Sequence, residues 1–79
     1  MEGRKNCQRL HNYVGTRRLG KITYEDKDQL LIPGNRHIWT STVQVNGTTY
    51  GNGQGETKLD ARDRAAGNAL PVLQAQFGP

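Results

Sequence analysis

Lys58 and Arg62 stand four residues apart just after Thr57, a spacing that puts both on one side of a helix within its first turns. The free N–H groups and dipole of a helix N-terminus already favour an anion, and two flanking cations strengthen that preference. Cations at this end also oppose the dipole, so their presence asks for a partner; the plain alternative is a capped helix with ordinary surface charges. Gly51, Gly53 and Gly55 read as part of a loop, Gly51 to Glu56, through which a bulky phosphate could approach. Their pattern is GxGxG and not GxGxxG, and Thr57-Lys58 reverses the Lys-Ser/Thr order of a P-loop, which sets a nucleotide site aside.

Other chemistry finds little footing. His11 and His37 have no Cys, Asp or Glu at ligand spacing and no nucleophile beside them, so no metal site and no cofactor is expected. Paired carboxylates and an elbow serine are missing too, and a chain of 79 residues has little room for a preorganised pocket, which argues against an enzyme. Asn46-Gly47-Thr48 is formally a glycosylation sequon, but the same residues suit a hairpin turn. One cysteine, Cys7, can close no internal disulfide, and no apolar run approaches the roughly 20 residues of a membrane span. The N-terminus leads into no apolar signal core, so an intracellular, cytoplasmic or nuclear, protein without membrane contact is expected.

The elements that must position these residues follow from length and periodicity. A chain this short makes one domain over 1–79, with its core about 6–73. Residues 1–21 carry six cations against Glu2 alone, leaving the rest of this +4 chain slightly acidic, an asymmetry that suits an anionic partner. Cys7, Leu10, Tyr13 and Val14 form one helical stripe, predicting a helix from Asn6 to about Leu19, weakened at Gly15 and stopped by Gly20. One strand is expected from Ile22 toward Pro33, bulged near Asp28, and a second from Ile38 to Val45 with Trp39, Ser41, Val43 and Val45 on its buried face. Asn46-Gly47 supplies a type I′ turn into a third strand at Thr48, Thr49 and Tyr50. Thr57 and Asp60 make a capping-box pattern that opens a second helix. Its stripe of Ala61, Ala65, Ala66, Ala69, Leu70 and Leu73 lets it lie close to a sheet, and Pro71 should bend or end it. The expected core is Leu10, Tyr13, Trp39, Val43, Val45, Ala65, Ala69 and Leu73, with Trp39 its largest member.

In this order, from roughly Asn6 to Leu73, the chain resembles the double-stranded RNA-binding domain family. The run from Tyr50 to Leu70 is similar to the family's glycine loop, basic helix start and Ala-Ala-x-x-Ala-Leu ending. Leu10, Tyr13 and Tyr24 match its apolar and tyrosine positions, Gly34-Asn35-Arg36-His37 its Gly-Pro-x-His loop, and Trp39 stands at its usual phenylalanine. The resemblance implies an α+β fold, α-β-β-β-α, with two helices packed on one face of a three-stranded antiparallel sheet. It further implies a non-catalytic module that binds A-form double-stranded RNA by shape, through phosphate and 2′-hydroxyl contacts. Lys58 and Arg62 would hold phosphates, Arg36 and His37 would enter one minor groove, and Asn12, at the family's glutamate, with Gln8 or Arg9 would touch the other. Leu59 replaces the middle cation of the family's basic helix start, Asp60 adds a negative charge, and the stretch from His37 to Trp39 is two residues short. The rival expectation is the same fold used for protein contact or self-association, seeded by Leu59.

Overall fold

The computed structural model describes residues 5–31, 34 and 36–78, and the side chains of all of these except Leu31 and Arg36. Helix α1 (Lys5–Arg17) precedes strands β1 (Ile22–Leu31), β2 (Arg36–Val45) and β3 (Thr48–Gly55), and helix α2 (Lys58–Phe77) follows. The sheet is antiparallel in the order β1-β2-β3, with both helices on one face, as the α-β-β-β-α resemblance implies. No helix among the described residues is long and apolar enough to cross a membrane.

Helix α1 passes through Gly15 and ends on Arg18, not Gly20. Arg18 takes φ 53°, its N–H reaches the Gly15 carbonyl and the Leu19 N–H reaches Val14, a Schellman closure that tucks Leu19 against the core. A left-handed arginine costs about 1 kcal/mol relative to glycine. Arg18→Gly should therefore stabilise the fold by about 1 kcal/mol, read as a higher urea midpoint; an unchanged or lower midpoint would show that the arginine side chain offsets its own strain. The freed Gly20 serves the next turn instead, at φ 136° and hard against the Asn46 side chain.

Asn46 and Gly47 form the expected turn, both at positive φ (53° and 82°). Asn46 does more than turn the chain. Its Oδ1 accepts the Lys21 N–H at 3.1 Å and its Nδ2 donates to the Leu19 carbonyl at 2.8 Å, lashing the α1–β1 connection to the β2–β3 hairpin.

Three expectations fail for identifiable reasons. Strand β1 pairs with β2 without a bulge at Asp28, which sits opposite Trp39; the irregularity lies between β2 and β3, where Tyr50 is the extra residue. The stretch expected as a glycine loop is strand: Gly51, Gly53 and Gly55 pair with Val43, Ser41 and Trp39. A Cβ on each would lie 2.7, 2.5 and 2.9 Å from the backbone nitrogens of Ala69, Ala65 and Ala61. Two strand residues advance about 6.8 Å and four helix residues about 6 Å, so the glycine and alanine rows mesh and α2 rests on bare backbone. Pro71 does not end α2, because it points to solvent while Leu70 and Leu73 on either side are buried. Burying two leucines, about 1.5–3 kcal/mol each, offsets a proline penalty of about 3.

The core joins Leu10, Tyr13 and Val14 of α1, Val43 and Val45 of β2, and Ala65, Ala66, Ala69, Leu70 and Leu73 of α2. Trp39 is not among them. It is half-buried on the row of Gly55, beside the first turn of α2, where helix cover runs out.

Candidate nucleic-acid interface

Helix α2 opens as expected on Thr57, whose Oγ1 accepts the Asp60 N–H at 3.1 Å. Lys58 is exposed, and its Nζ stands 5.3 Å from the centre of the Trp39 ring, so the indole left uncovered by the helix steadies the ammonium from below. One turn on, Arg62 meets a different environment. Its Nε donates to both Asp26 carboxylate oxygens at 3.0 and 3.1 Å, its Nη2 to Oδ2 at 2.5 Å, and its guanidinium lies 5.2 Å from the Tyr24 ring centre. The Arg62 guanidinium holds the Asp26 carboxyl below its ordinary pKa, against the opposing effect of burial, while the carboxylate raises that of Arg62. Asp26 thus has a lower pKa folded than unfolded. The pair's stabilisation is complete above the ordinary carboxylate range and is lost only as pH falls through the lowered value. Ser41, directly opposite Asp26, is fully buried and its hydroxyl meets no hydrogen-bond geometry, although it adds a smaller pull on the carboxylate.

Gln8, Arg9 and Asn12 are all exposed on α1, and Arg9 and Asn12 border a groove with Leu70 and Gln74 of α2. The orientation of this helix depends on Asp63, a carboxylate only 8% exposed. Asp63 Oδ1 accepts the backbone N–H groups of Asn6 and Cys7 at 3.0 and 3.2 Å, and Oδ2 accepts from Asn6 Nδ2 at 3.2 Å. A residue of α2 therefore supplies the N-terminal cap of α1, satisfying orphan donors and countering the positive end of the dipole. At the other end the Tyr13 hydroxyl is shared between the carbonyls of Leu73, at 3.2 Å, and Gly78, so the helices run side by side in the same sense.

His37 lies on β2 and not in a loop. It is exposed, and its Nδ1 donates to Asp28 Oδ1 at 2.8 Å across the hairpin. Arg36 is also on the strand, though its side chain is not among those described, and Asn35 lies outside the described residues. The expected phosphate pair thus divides into an open Lys58 and an occupied Arg62, while the expected groove histidine carries its own carboxylate partner. Sequence reasoning missed Asp26, Asp63 and the Lys58–Trp39 stack, because each joins residues far apart in the chain. Among the described residues no group of His, Cys, Asp and Glu could hold a metal ion.

Residues 7–73 match the sequence model of the family described as the double-stranded RNA binding motif. Among solved structures, the first dsRBD of the protein HYL1 is 28% identical, with 86% of this chain and 94% of that chain covered and a TM-score of 0.67. The second dsRBD of HYL1 is 26% identical over 87% of this chain and 97% of that one, with a TM-score of 0.63. No curated protein matches the chain.

Proposed function

The chain belongs to the double-stranded RNA-binding domain family, and on that premise we propose that it is a non-catalytic module gripping A-form RNA duplexes by shape. The observation that carries the reading is Lys58, an open cation at the first turn of α2, steadied on Trp39 and next to the free N–H groups of the helix. In this reading Lys58 and Arg62 meet the phosphates across the major groove, and Gln8, Arg9 and Asn12 touch 2′-hydroxyls and base edges in one minor groove. Arg36 and His37 reach the next, the whole footprint spanning about 16 base pairs as such domains do.

The test is a fluorescence anisotropy titration against duplex RNA, duplex DNA and single-stranded RNA of equal length across a salt series. Duplex RNA should bind best at every salt, with a log–log slope near −0.9 per phosphate contact as a rough guide from B-form DNA. Lys58→Ala should weaken duplex binding by about tenfold, since one charge-assisted phosphate contact is lost. Equal affinity for duplex DNA would reduce the interaction to charge alone, and no binding at low salt would end the proposal.

A further inference from the structure

Arg62 offers the fork that recognises oxyanions, and that fork is already occupied. The Nε and Nη2 edge, which clasps phosphate or carboxylate with two parallel bonds, is closed on Asp26. Two further features make this more than a passing surface pair. The Asp26 side chain is only 12% exposed, against 34% for Arg62, so the carboxylate is fixed in the sheet and the arginine comes down to it. Asp26 also sits in the register row of Ser41 and Gly53, beneath α2, on a strand residue whose backbone is fixed by pairing. A phosphate arriving at α2 therefore meets the open charge of Lys58 and, one turn on, a pair with no net charge.

We propose that Asp26 is an affinity-limiting residue: it withholds the Nε–Nη2 fork of Arg62 from the RNA phosphate and sets how tightly this domain holds a duplex. The inference rests on the RNA-binding reading above. An arginine kept by a carboxylate can offer phosphate only its outer N–H groups, releases less of the counterion atmosphere on contact, and puts a second anion close to the phosphate. Removing the carboxylate while keeping the side-chain shape returns the fork to the ligand.

The experiment is a double-mutant cycle on duplex RNA, with Asp26→Asn, Arg62→Gln and the two combined, read by anisotropy over a salt series and checked for folding by circular dichroism melts. Asp26→Asn should tighten binding by about tenfold and steepen the salt slope by about one contact. Arg62→Gln should weaken binding in both backgrounds, but by about tenfold more when Asp26 is already asparagine, which assigns the gain to the released guanidinium. Asp26→Ser, small enough for the same site, is the second variant should the asparagine fail to fold, and the same signs are expected of it. Folded variants that bind no tighter than the wild type would overturn the proposal, showing that Asp26 aims Arg62 and does not withhold it. A gain that survives Arg62→Gln would overturn it as well, since net charge alone would explain it. If neither the wild type nor any variant binds duplex RNA, the functional reading has failed and this inference with it. A wild type that binds while the variants match it isolates the failure to Asp26.

Discussion

Gly53→Val should remove a large share of the protein's stability. A Cβ at this position lies 2.5 Å from the Ala65 nitrogen and 2.7 Å from the Arg64 carbonyl carbon, and neither is the movable end of a side chain. Relief requires α2 to lift off β3, and lifting it opens the contact at Ala61 and Ala69 as well, because the three glycines and three alanines form one seam. Overpacking a core typically costs 1–3 kcal/mol, and a branched side chain against immovable backbone belongs at or above the upper end, ~3 kcal/mol or more. At roughly 0.05–0.15 kcal/mol per residue, a chain of 79 residues has about 4–12 kcal/mol in all. The contrast is Gly15→Ala, where a Cβ meets nothing within 4 Å and better helix propensity should add about 1 kcal/mol. Urea midpoints of the two variants should move in opposite directions; a Gly53→Val protein that melts like the wild type would mean the seam is looser than these distances.

Asp63→Ala should cost about 3 kcal/mol and should act on α1, although the residue belongs to α2. The substitution strips three hydrogen bonds from one carboxylate and leaves the Asn6 and Cys7 N–H groups without their acceptor where the helix begins. Bonds to a charged group are worth about 1.5–3 kcal/mol each and do not add fully when they share an acceptor. Asp63→Asn, which keeps one acceptor oxygen but loses the charge that faces the dipole, should lie roughly midway. Hydrogen exchange is the decisive measurement. The amides of α1 should lose protection well before those of β2, and under the proposed RNA-binding role affinity for duplex RNA should fall even though Lys58 is untouched, because this cap orients the helix that carries Gln8, Arg9 and Asn12. Exchange that rises equally everywhere would make Asp63 a general stabiliser and not the anchor of α1.

The parts of this fold that could be read from the sequence are those whose causes lie within a few residues. The 3.6-residue stripe of α1, the alternation of β2, the Asn46-Gly47 turn and the Thr57 cap are all local, and all stand in the structure. What could not be read depends on a partner remote in the chain. Gly51, Gly53 and Gly55 have the composition of a loop, and only the alanine row of α2 explains them as strand. Asp63 and Asp26 look like surface acids until Asn6, 57 positions away, and Arg62, 36 positions away, are brought to them. The candidate site divides along the same line. Lys58, whose exposure follows from its place on the helix, stands open as its position implied, while the state of Arg62 was set by a strand residue that no helical spacing could reveal.

Asn46 also gives the protein a chemical clock. An asparagine followed by glycine is the dipeptide most prone to lose its side-chain amide, because the unhindered Gly47 nitrogen can attack the carboxamide carbon and close a succinimide. Here that carboxamide is held at both ends, by the Lys21 N–H on its oxygen and the Leu19 carbonyl on its nitrogen, and ring closure, which expels that nitrogen as ammonia, must break the clamp. Ageing at this site therefore proceeds through molecules in which the clamp has opened. Refolding cannot undo it, because ammonia has left, and the aspartate or isoaspartate formed presents a carboxylate to the Leu19 carbonyl where an amide once donated. The modified peptide, quantified by mass spectrometry in a stored sample, should accumulate in proportion to the time its chains have spent with this hairpin undone, so that storage history is written into the covalent structure.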